Sequence, residues 1–278
     1  MQGVISFVQP LIPKYFGKTC LPRYRLEQPL RAIIVATLHC QNQTFENIQA
    51  IIFDKDGTLE DSGDYLRNLS QKRARLIDAQ IPGVGEPLLM AFGVNGLTLD
   101  PAGLQAVGSR YENEIAAAAY IAETGRGWSA ALDIVRQAFT EVDRVMESTP
   151  AAMFPGCIES IASFAAAGIK MGIVSAATTS QVVNFANYHK LQSHFQVLLG
   201  SDLQFAKPDP RLFQFACQEM GVDPARTLMV GDSSWDMIMG SQGGAAGCIG
   251  ISWGRSAKPL TMADVSISDL LELKIIED

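Results

Sequence analysis

Histidine and cysteine are scarce in this 278-residue chain, and neither is placed for chemistry. The three histidines, His39, His189 and His194, stand outside any nucleophile motif, and we expect ordinary surface or partly buried roles for them. No G-x-S-x-G, Walker A or H-E-x-x-H sequence occurs, which sets aside a serine-hydrolase elbow, a P-loop and a zinc protease helix. The five cysteines (Cys20, Cys40, Cys157, Cys217, Cys248) are scattered without a C-x-x-C pair, so a zinc site is not expected. An odd number without a framework points to free thiols in a reducing compartment, and hence to the cytoplasm. No apolar run approaches the roughly 20 residues a membrane helix needs. The mildly apolar stretch from Val4 to Ile12 is broken by Pro10, is followed by Pro13 and lacks a basic flank, so a signal peptide is not expected. Basic residues are also in deficit. Lys and Arg number 22 against 29 Asp and Glu, a net charge of −7 with pI near 5.0. That balance argues against a nucleic-acid or anionic-membrane partner.

Core material, by contrast, is ample. Hydrophobic residues make up 47% and charged residues 18%, a globular composition. Residues 1–47 read as an N-terminal extension. Its first part is rich in proline (Pro10, Pro13, Pro22, Pro29), and a possible extra strand at Ala32–Leu38 would extend a sheet edge, with a turn at Gln41–Thr44. Residues 63–150 read as helical. Tyr65–Ala79 and the alanine-rich Tyr111–Thr124 are two helices. A third, Ser129–Ser148, carries Leu132, Val135, Phe139, Val142 and Met146 at three- and four-residue steps, with Ser129 as a possible cap. The basic residues Arg67, Lys72, Arg73 and Arg75 mostly suit a solvated helix face. From residue 151 onward strands and helices alternate with short connections: strands at Lys170–Ser175, Gln196–Gly200, Thr227–Gly231 and Cys248–Ser252, helices at Cys157–Ala167, Ser180–His189, Pro210–Met220 and Trp235–Gln242. Such alternation implies an α/β fold, with a parallel sheet covered on both faces.

The densest chemical signal is Ile51-Ile52-Phe53-Asp54-Lys55-Asp56-Gly57-Thr58-Leu59. An apolar run that reads as a buried strand ends in two carboxylates one residue apart, then a glycine that permits a sharp turn. Strand alternation puts Asp54 and Asp56 on one side and Lys55 opposite. In open α/β sheets, ligands bind beyond the carboxyl ends of the strands. Two acids there suit a divalent cation and acid/base work. An Asx turn carrying a solvated acid pair is the bland alternative.

Three further segments follow in order: Gly172-Ile173-Val174-Ser175, Lys207-Pro208-Asp209-Pro210, and Val230-Gly231-Asp232-Ser233-Ser234-Trp235-Asp236. With the first motif and its trailing Asp61-Ser62, they resemble the four motifs of the haloacid dehalogenase superfamily, in the branch that includes phosphoglycolate phosphatases. Gly250-Ile251-Ser252-Trp253-Gly254 resembles a late segment of that branch. The resemblance implies a Rossmann-like three-layer core formed by residues 48–62 and 151–278, and an inserted all-helical cap over 63–150. It implies a Mg²⁺-dependent phosphatase for a small phosphorylated metabolite, phosphoglycolate-like, acting through an aspartyl-phosphate.

By the same resemblance, Asp54 is the nucleophile and Asp56 the general acid/base. The second acid favours phosphate esters over C–Cl or C–P bonds. Lys207 supplies a positive charge to the phosphoryl group. Ser175 and the Ala176 N–H contact phosphoryl oxygens, and Gly57 and Thr58 shape the cradle. Asp54, the Asp56 carbonyl, Asp232 and Asp236 hold the metal. Ser175-Ala176-Ala177 departs from the polar or glycine residue that usually follows the hydroxyl. A second reading of Asp232 is the N-cap of the helix that follows it. Among cap residues, Arg126, in Gly125-Arg126-Gly127, or Arg67 is expected to meet the distal group of the substrate. Two alternatives remain open at this stage, a phosphosugar mutase of the same superfamily and a non-catalytic binding protein that keeps the fold. Oligomeric state is not legible.

Overall fold

The computed structural model describes residues 35–146, 150–202, 204–253 and 260–276. Residues 1–34, including Ala32–Ile34 of the expected first strand and Cys20, lie outside the described residues, as do Ser148 and Gly254. The strands run β1 (Ala36–Cys40), β2 (Gln43–Ile48), β3 (Ala50–Phe53), β4 (Val94–Asn95), β5 (Thr98–Leu99), β6 (Lys170–Val174), β7 (Val197–Leu199), β8 (Thr227–Gly231), β9 (Gly247–Ile251), β10 (Val265–Ile267) and β11 (Lys274–Ile276). The helices are α1 (Gly63–Gln80), α2 (Gly85–Phe92), α3 (Leu104–Val107), α4 (Arg110–Glu123), α5 (Trp128–Val145), α6 (Cys157–Ala166), α7 (Thr179–Tyr188), α8 (Pro210–Met220) and α9 (Ser234–Gly243).

Six strands form the central sheet in the order β10-β9-β8-β3-β6-β7, every neighbouring pair parallel. β3 lies inside it, and all four of its residues are inaccessible to solvent. Alternation divides them between two cores. Ile51 and Phe53 join Ile161 and Phe164 of α6 and Val182 and Phe185 of α7. Ala50 and Ile52 join Leu212 and Phe213 of α8 and Met237 and Met239 of α9. The sheet is thus sandwiched between helices, the three-layer α/β arrangement expected from the sequence. Each large apolar side chain so buried contributes about 1.5–3 kcal/mol.

The chain between β3 and α6 builds a third apolar core of its own. Ile77 of α1, Phe92 of α2, Ile121 of α4 and Val135 and Phe139 of α5 close it. Val142 is buried as expected, while Leu132 and Met146 are only half-buried, because Ala131 and Ala138 complete the inward stripe. Four expectations need correction here. The insert is not all helical, since β4 and β5 pair as a short hairpin around Asn95–Thr98. Ser129 does not cap α5: the N-cap is Gly127, with no side-chain hydrogen bond, because the helix starts one residue earlier, at Trp128. Arg73 is no solvated cation. It is buried, bonds Asp143 at 2.8 Å and lies 4.0 Å over the Phe139 ring. Lys72 and Arg75 are exposed as expected.

The fourth correction concerns the extra strand. β1 does not extend the central sheet. It pairs antiparallel with β2 and with β11 in a separate three-stranded sheet. Gln43 and Thr44, expected in a turn, open β2 instead. Leu38, Cys40, Phe45 and Ile48 turn into the core, and Phe45 packs so closely on Gly247 of β9 that any side chain there would strike its ring.

Candidate active site

The carboxyl ends of β3, β6 and β8 deliver Asp54, Ser175 and Asp232 to one edge of the sheet, each as the first residue past its strand. Lys207 comes from the loop after β7, where the Lys207–Pro208 bond is cis. Its Nζ lies 2.5 Å from Oδ1 of Asp54 and 2.6 Å from Oδ1 of Asp236. Asp236 is fully buried. Its other oxygen accepts the Ser233 hydroxyl at 2.6 Å and the Ser233 N–H at 3.2 Å. The helix α9 is therefore capped by Ser233, which leaves Asp232 free of the capping role.

Asp232 is half-buried and accepts the Thr58 hydroxyl at 3.2 Å on Oδ1. Gly57 turns the loop after β3 with φ of 79°, and a Cβ there would collide with Oδ2 of Asp232. Its N–H is engaged by the Glu60 carbonyl at 2.9 Å, so Gly57 contributes shape rather than a donor. One oxygen each from Asp54, Asp232 and Asp236 falls within a span of 4.8 Å.

Three carboxylates share a single ammonium here, an excess of two negative charges. Burial raises the Asp54 carboxyl to about 7. Lys207 opposes the rise, and Asp236 and Asp56 add to it. Burial and the Asp54 charge push Asp232 well above its ordinary value as well. The donor set is all oxygen, compact and overcharged. Those are the properties of a seat for a hard divalent cation, and they fit Mg²⁺.

Asp56 shares the edge with Asp54 and Ser175, and the departure from alternation is at Lys55. β3 ends at Phe53, so alternation stops before Lys55. The Lys55 ammonium is not opposite the acids but bonds Asp56 Oδ1 at 2.6 Å and Glu60 Oε2 at 2.5 Å. The second Asp56 oxygen accepts the Ser175 hydroxyl at 3.3 Å. Burial disfavours the Asp56 anion, but the Lys55 charge and hydrogen bonds from Lys55 and Ser62 outweigh it and lower the pKa. Ser175 is buried, and its Oγ also accepts the Ala177 N–H at 3.0 Å. Ala176 follows it at the mouth of β6.

The two arginines expected to meet the substrate contact residues of the insert itself. Arg126 is exposed on the α4–α5 turn and donates to the Thr124 hydroxyl at 3.1 Å. Arg67 is half-buried, its Nη1 donating to Asp64 at 2.8 Å and to the Leu97 carbonyl at 2.9 Å. Lys55, Glu60 and Trp253 line the site without having been assigned a role from the sequence. Trp253 donates its indole N–H to the Gly57 carbonyl at 3.1 Å and stacks on Phe154 with ring centroids 4.3 Å apart. Its position in Gly250–Gly254 was the one available signal, while Lys55 and Glu60 gave none beyond adjacency to the motif.

The site thus joins a paired lysine to an acidic, oxygen-only cluster at the carboxyl edge of a parallel sheet. The model of the haloacid dehalogenase-like hydrolases matches residues 48–244, and the chain belongs to that family. A relative from Dickeya dadantii (strain 3937), named "Probable phosphatase IndB", is 29% identical over 77% of this chain and 88% of its own length. The phosphoglycolate phosphatase of Escherichia coli (strain K12) is 27% identical over 82% of this chain and 92% of its own length. A subfamily IA hydrolase of the same superfamily from Geobacter sulfurreducens PCA shares the fold with a TM-score of 0.53. It is 18% identical, over 81% of this chain and 94% of that one. The class its relatives populate is that of the phosphoric monoester hydrolases.

Proposed function

We propose that this phosphatase depends on Mg²⁺ and cleaves a small phosphorylated metabolite, phosphoglycolate-like in size and charge, through a phosphoenzyme on Asp54. The observation that carries the reading is the seating of Asp54 2.5 Å from Lys207, at the carboxyl edge of the sheet, within a cluster of three carboxylates. Phosphate monoesters are among the slowest substrates known to hydrolyse, so the site must supply a very large rate factor. A carboxylate nucleophile divides the reaction into two easier steps. Oδ of Asp54 attacks phosphorus and the ester oxygen departs. The free site holds Asp56 as an anion; the incoming phosphate charge raises its proton affinity, so that it takes up a proton with the substrate, gives it to the ester oxygen, then removes one from the water that opens the acyl phosphate.

Lys207 holds Asp54 in line and faces the phosphoryl charge. The Ser175 hydroxyl, which turns from Asp56 to the substrate, and the Ala176 N–H serve as donors to phosphoryl oxygens. Asp54, Asp232 and the backbone carbonyl of Asp56 would hold Mg²⁺. Asp236, whose Oδ1 faces the Lys207 ammonium within the same cluster, supports the ion directly or through water. Bound there, the ion shields the nucleophile from the anionic substrate and neutralises charge on the phosphoryl group. Thr58 orients Asp232 for that duty.

Between the two cap arginines, Arg126 suits the distal carboxylate of a substrate better, because Arg67 is already held by Asp64 and Leu97. We place the enzyme in the cytoplasm, in keeping with its odd and scattered cysteines. The test is phosphate release from a panel of phosphorylated metabolites, with and without Mg²⁺, for wild type and Asp54→Asn. Mg²⁺-dependent release that Asp54→Asn abolishes is expected. Isomerised sugar phosphate without free phosphate would point to a mutase, and no turnover by a folded, Mg²⁺-binding protein would overturn the reading.

A further inference from the structure

Lys55 and Glu60 take no part in the chemistry above, yet each is only 5% exposed and each is charged. Withdrawing such groups from water costs several kcal/mol apiece before pairing. Their contacts show where that cost leads. Lys55 Nζ bridges Asp56 Oδ1 at 2.6 Å and Glu60 Oε2 at 2.5 Å. The other Glu60 oxygen, Oε1, accepts the Ala151 N–H at 2.6 Å. Ala151 belongs to the segment that returns the chain from the helical layer to the core, beside the outgoing segment. There the Asp61 N–H donates to the Ala152 carbonyl at 2.9 Å and the Phe154 N–H to the Leu59 carbonyl at 3.1 Å. The Ala151 carbonyl oxygen lies 3.0 Å from the His189 ring. An unbroken chain of contacts therefore runs from the Asp56 carboxylate through Lys55 and Glu60 to the returning linker.

Resting on the reading of Asp56 as acid and base, we propose that Lys55 and Glu60 are its positioning residues. Lys55 grips Oδ1 of Asp56, which leaves Oδ2, the acceptor of the Ser175 hydroxyl in the free site, to face the leaving group. Glu60 fixes the Lys55 ammonium and anchors it to the linker at Ala151. Neither touches the substrate. Without Lys55, the Asp56 and Glu60 carboxylates would face each other unshielded and repel, and the reacting oxygen would leave its place.

Two substrates that differ in leaving group separate this role from a merely structural one. A nitrophenolate departs with little help from an acid, whereas an alkoxide needs its proton in the transition state. Lys55→Met, Lys55→Arg, Glu60→Gln and the double variant Lys55→Met/Glu60→Met are compared on p-nitrophenyl phosphate and an alkyl phosphate, with Asp56→Asn as the reference pattern. The double variant replaces both buried charges by apolar chains of similar length, a change that buried ion pairs tolerate in folding.

We expect Lys55→Met and the double variant to lose kcat on the alkyl phosphate by about 10²–10³-fold, within the range of general acid–base catalysis, with KM little changed. The first-turnover burst of nitrophenolate should fall far less, as in Asp56→Asn, and Lys55→Arg should recover part of the loss. Equal losses on both substrates, or unaltered kcat in a folded variant, would overturn the proposal. If instead Asp54→Asn stays active, the phosphoenzyme reading itself fails and takes this inference with it. Those two failures are distinguishable in the same assay.

Discussion

Gly57 and Asp232 come so close that a methyl group at the glycine would run into Oδ2 of Asp232, and that carboxylate would have to move. The backbone at Gly57 also holds a φ of 79°, which side-chain-bearing residues rarely adopt. Gly57→Ala is therefore expected to destabilise the fold by about 1–3 kcal/mol through strain and to displace a metal-holding carboxylate as well. Activity should fall by more than the stability loss explains. Mg²⁺ titration calorimetry on the folded variant, beside kcat/KM, checks this, with weakened metal binding as the expected signature.

The acid cluster predicts a pH dependence that Mg²⁺ reverses. Asp54 titrates near 3.8 in an unfolded chain and at about 7 in the folded, metal-free protein, raised by burial. The folded state then binds the proton more tightly, so metal-free stability declines as pH rises from about 4 to about 7. Metal binding requires the carboxylates ionised, so the gain in stability from Mg²⁺ grows over the same interval. Thermal unfolding with Mg²⁺ and with chelator, across that range, is the measurement. A Mg²⁺-induced rise in Tm that shrinks with increasing pH would contradict it.

Phe139 fills the apolar core of the helical insert and carries the Arg73 guanidinium 4.0 Å above its ring. Phe139→Ala should cost about 3–5 kcal/mol. Because that core is separate from the two that flank the central sheet, we expect the loss to fall on the insert first. Hydrogen exchange should quicken in α1, α4 and α5 while the amides of β3 and β8 stay protected.

Arg126 offers the simplest test of substrate reading by the insert. With phosphoglycolate, Arg126→Ala should raise KM roughly tenfold, the worth of one charge-assisted hydrogen bond, and leave kcat close to wild type. Steady-state kinetics decide it. Equal KM values for variant and wild type would remove Arg126 from the binding surface.

The central sheet was legible because β3 and its neighbours are buried on both faces and read as unbroken apolar runs. Three site residues were legible because each follows such a run directly, whereas Lys207 and Asp236 stood out only within their motifs. Asp54, Ser175 and Asp232 could be placed from strand ends alone. Lys55 could not, since alternation governs only residues inside a strand and β3 stops at Phe53. β2, with the sequence Gln-Thr-Phe-Glu-Asn-Ile, escaped notice because only Phe45 and Ile48 are apolar in it and the sheet it joins through β1 is completed by β11, at the far end of the chain. The same distance hid the burial of Glu60, whose partner Ala151 is 91 residues away. Arg73 read as a surface cation because neither the Phe139 ring beneath it nor Asp143 beside it is near in sequence.

Trp253 adopts a left-handed backbone, φ 52°, to lay its indole parallel to Phe154, with an interplanar angle of 6°. Its N–H meanwhile rests on the carbonyl of Gly57, in the loop that carries Asp54. One fluorophore thus touches both the reactive loop and the segment leading back from the insert. The molecule carries its own optical gauge, and a shift in tryptophan emission, lost in Trp253→Phe, would follow the ordering of the site in real time without any added label.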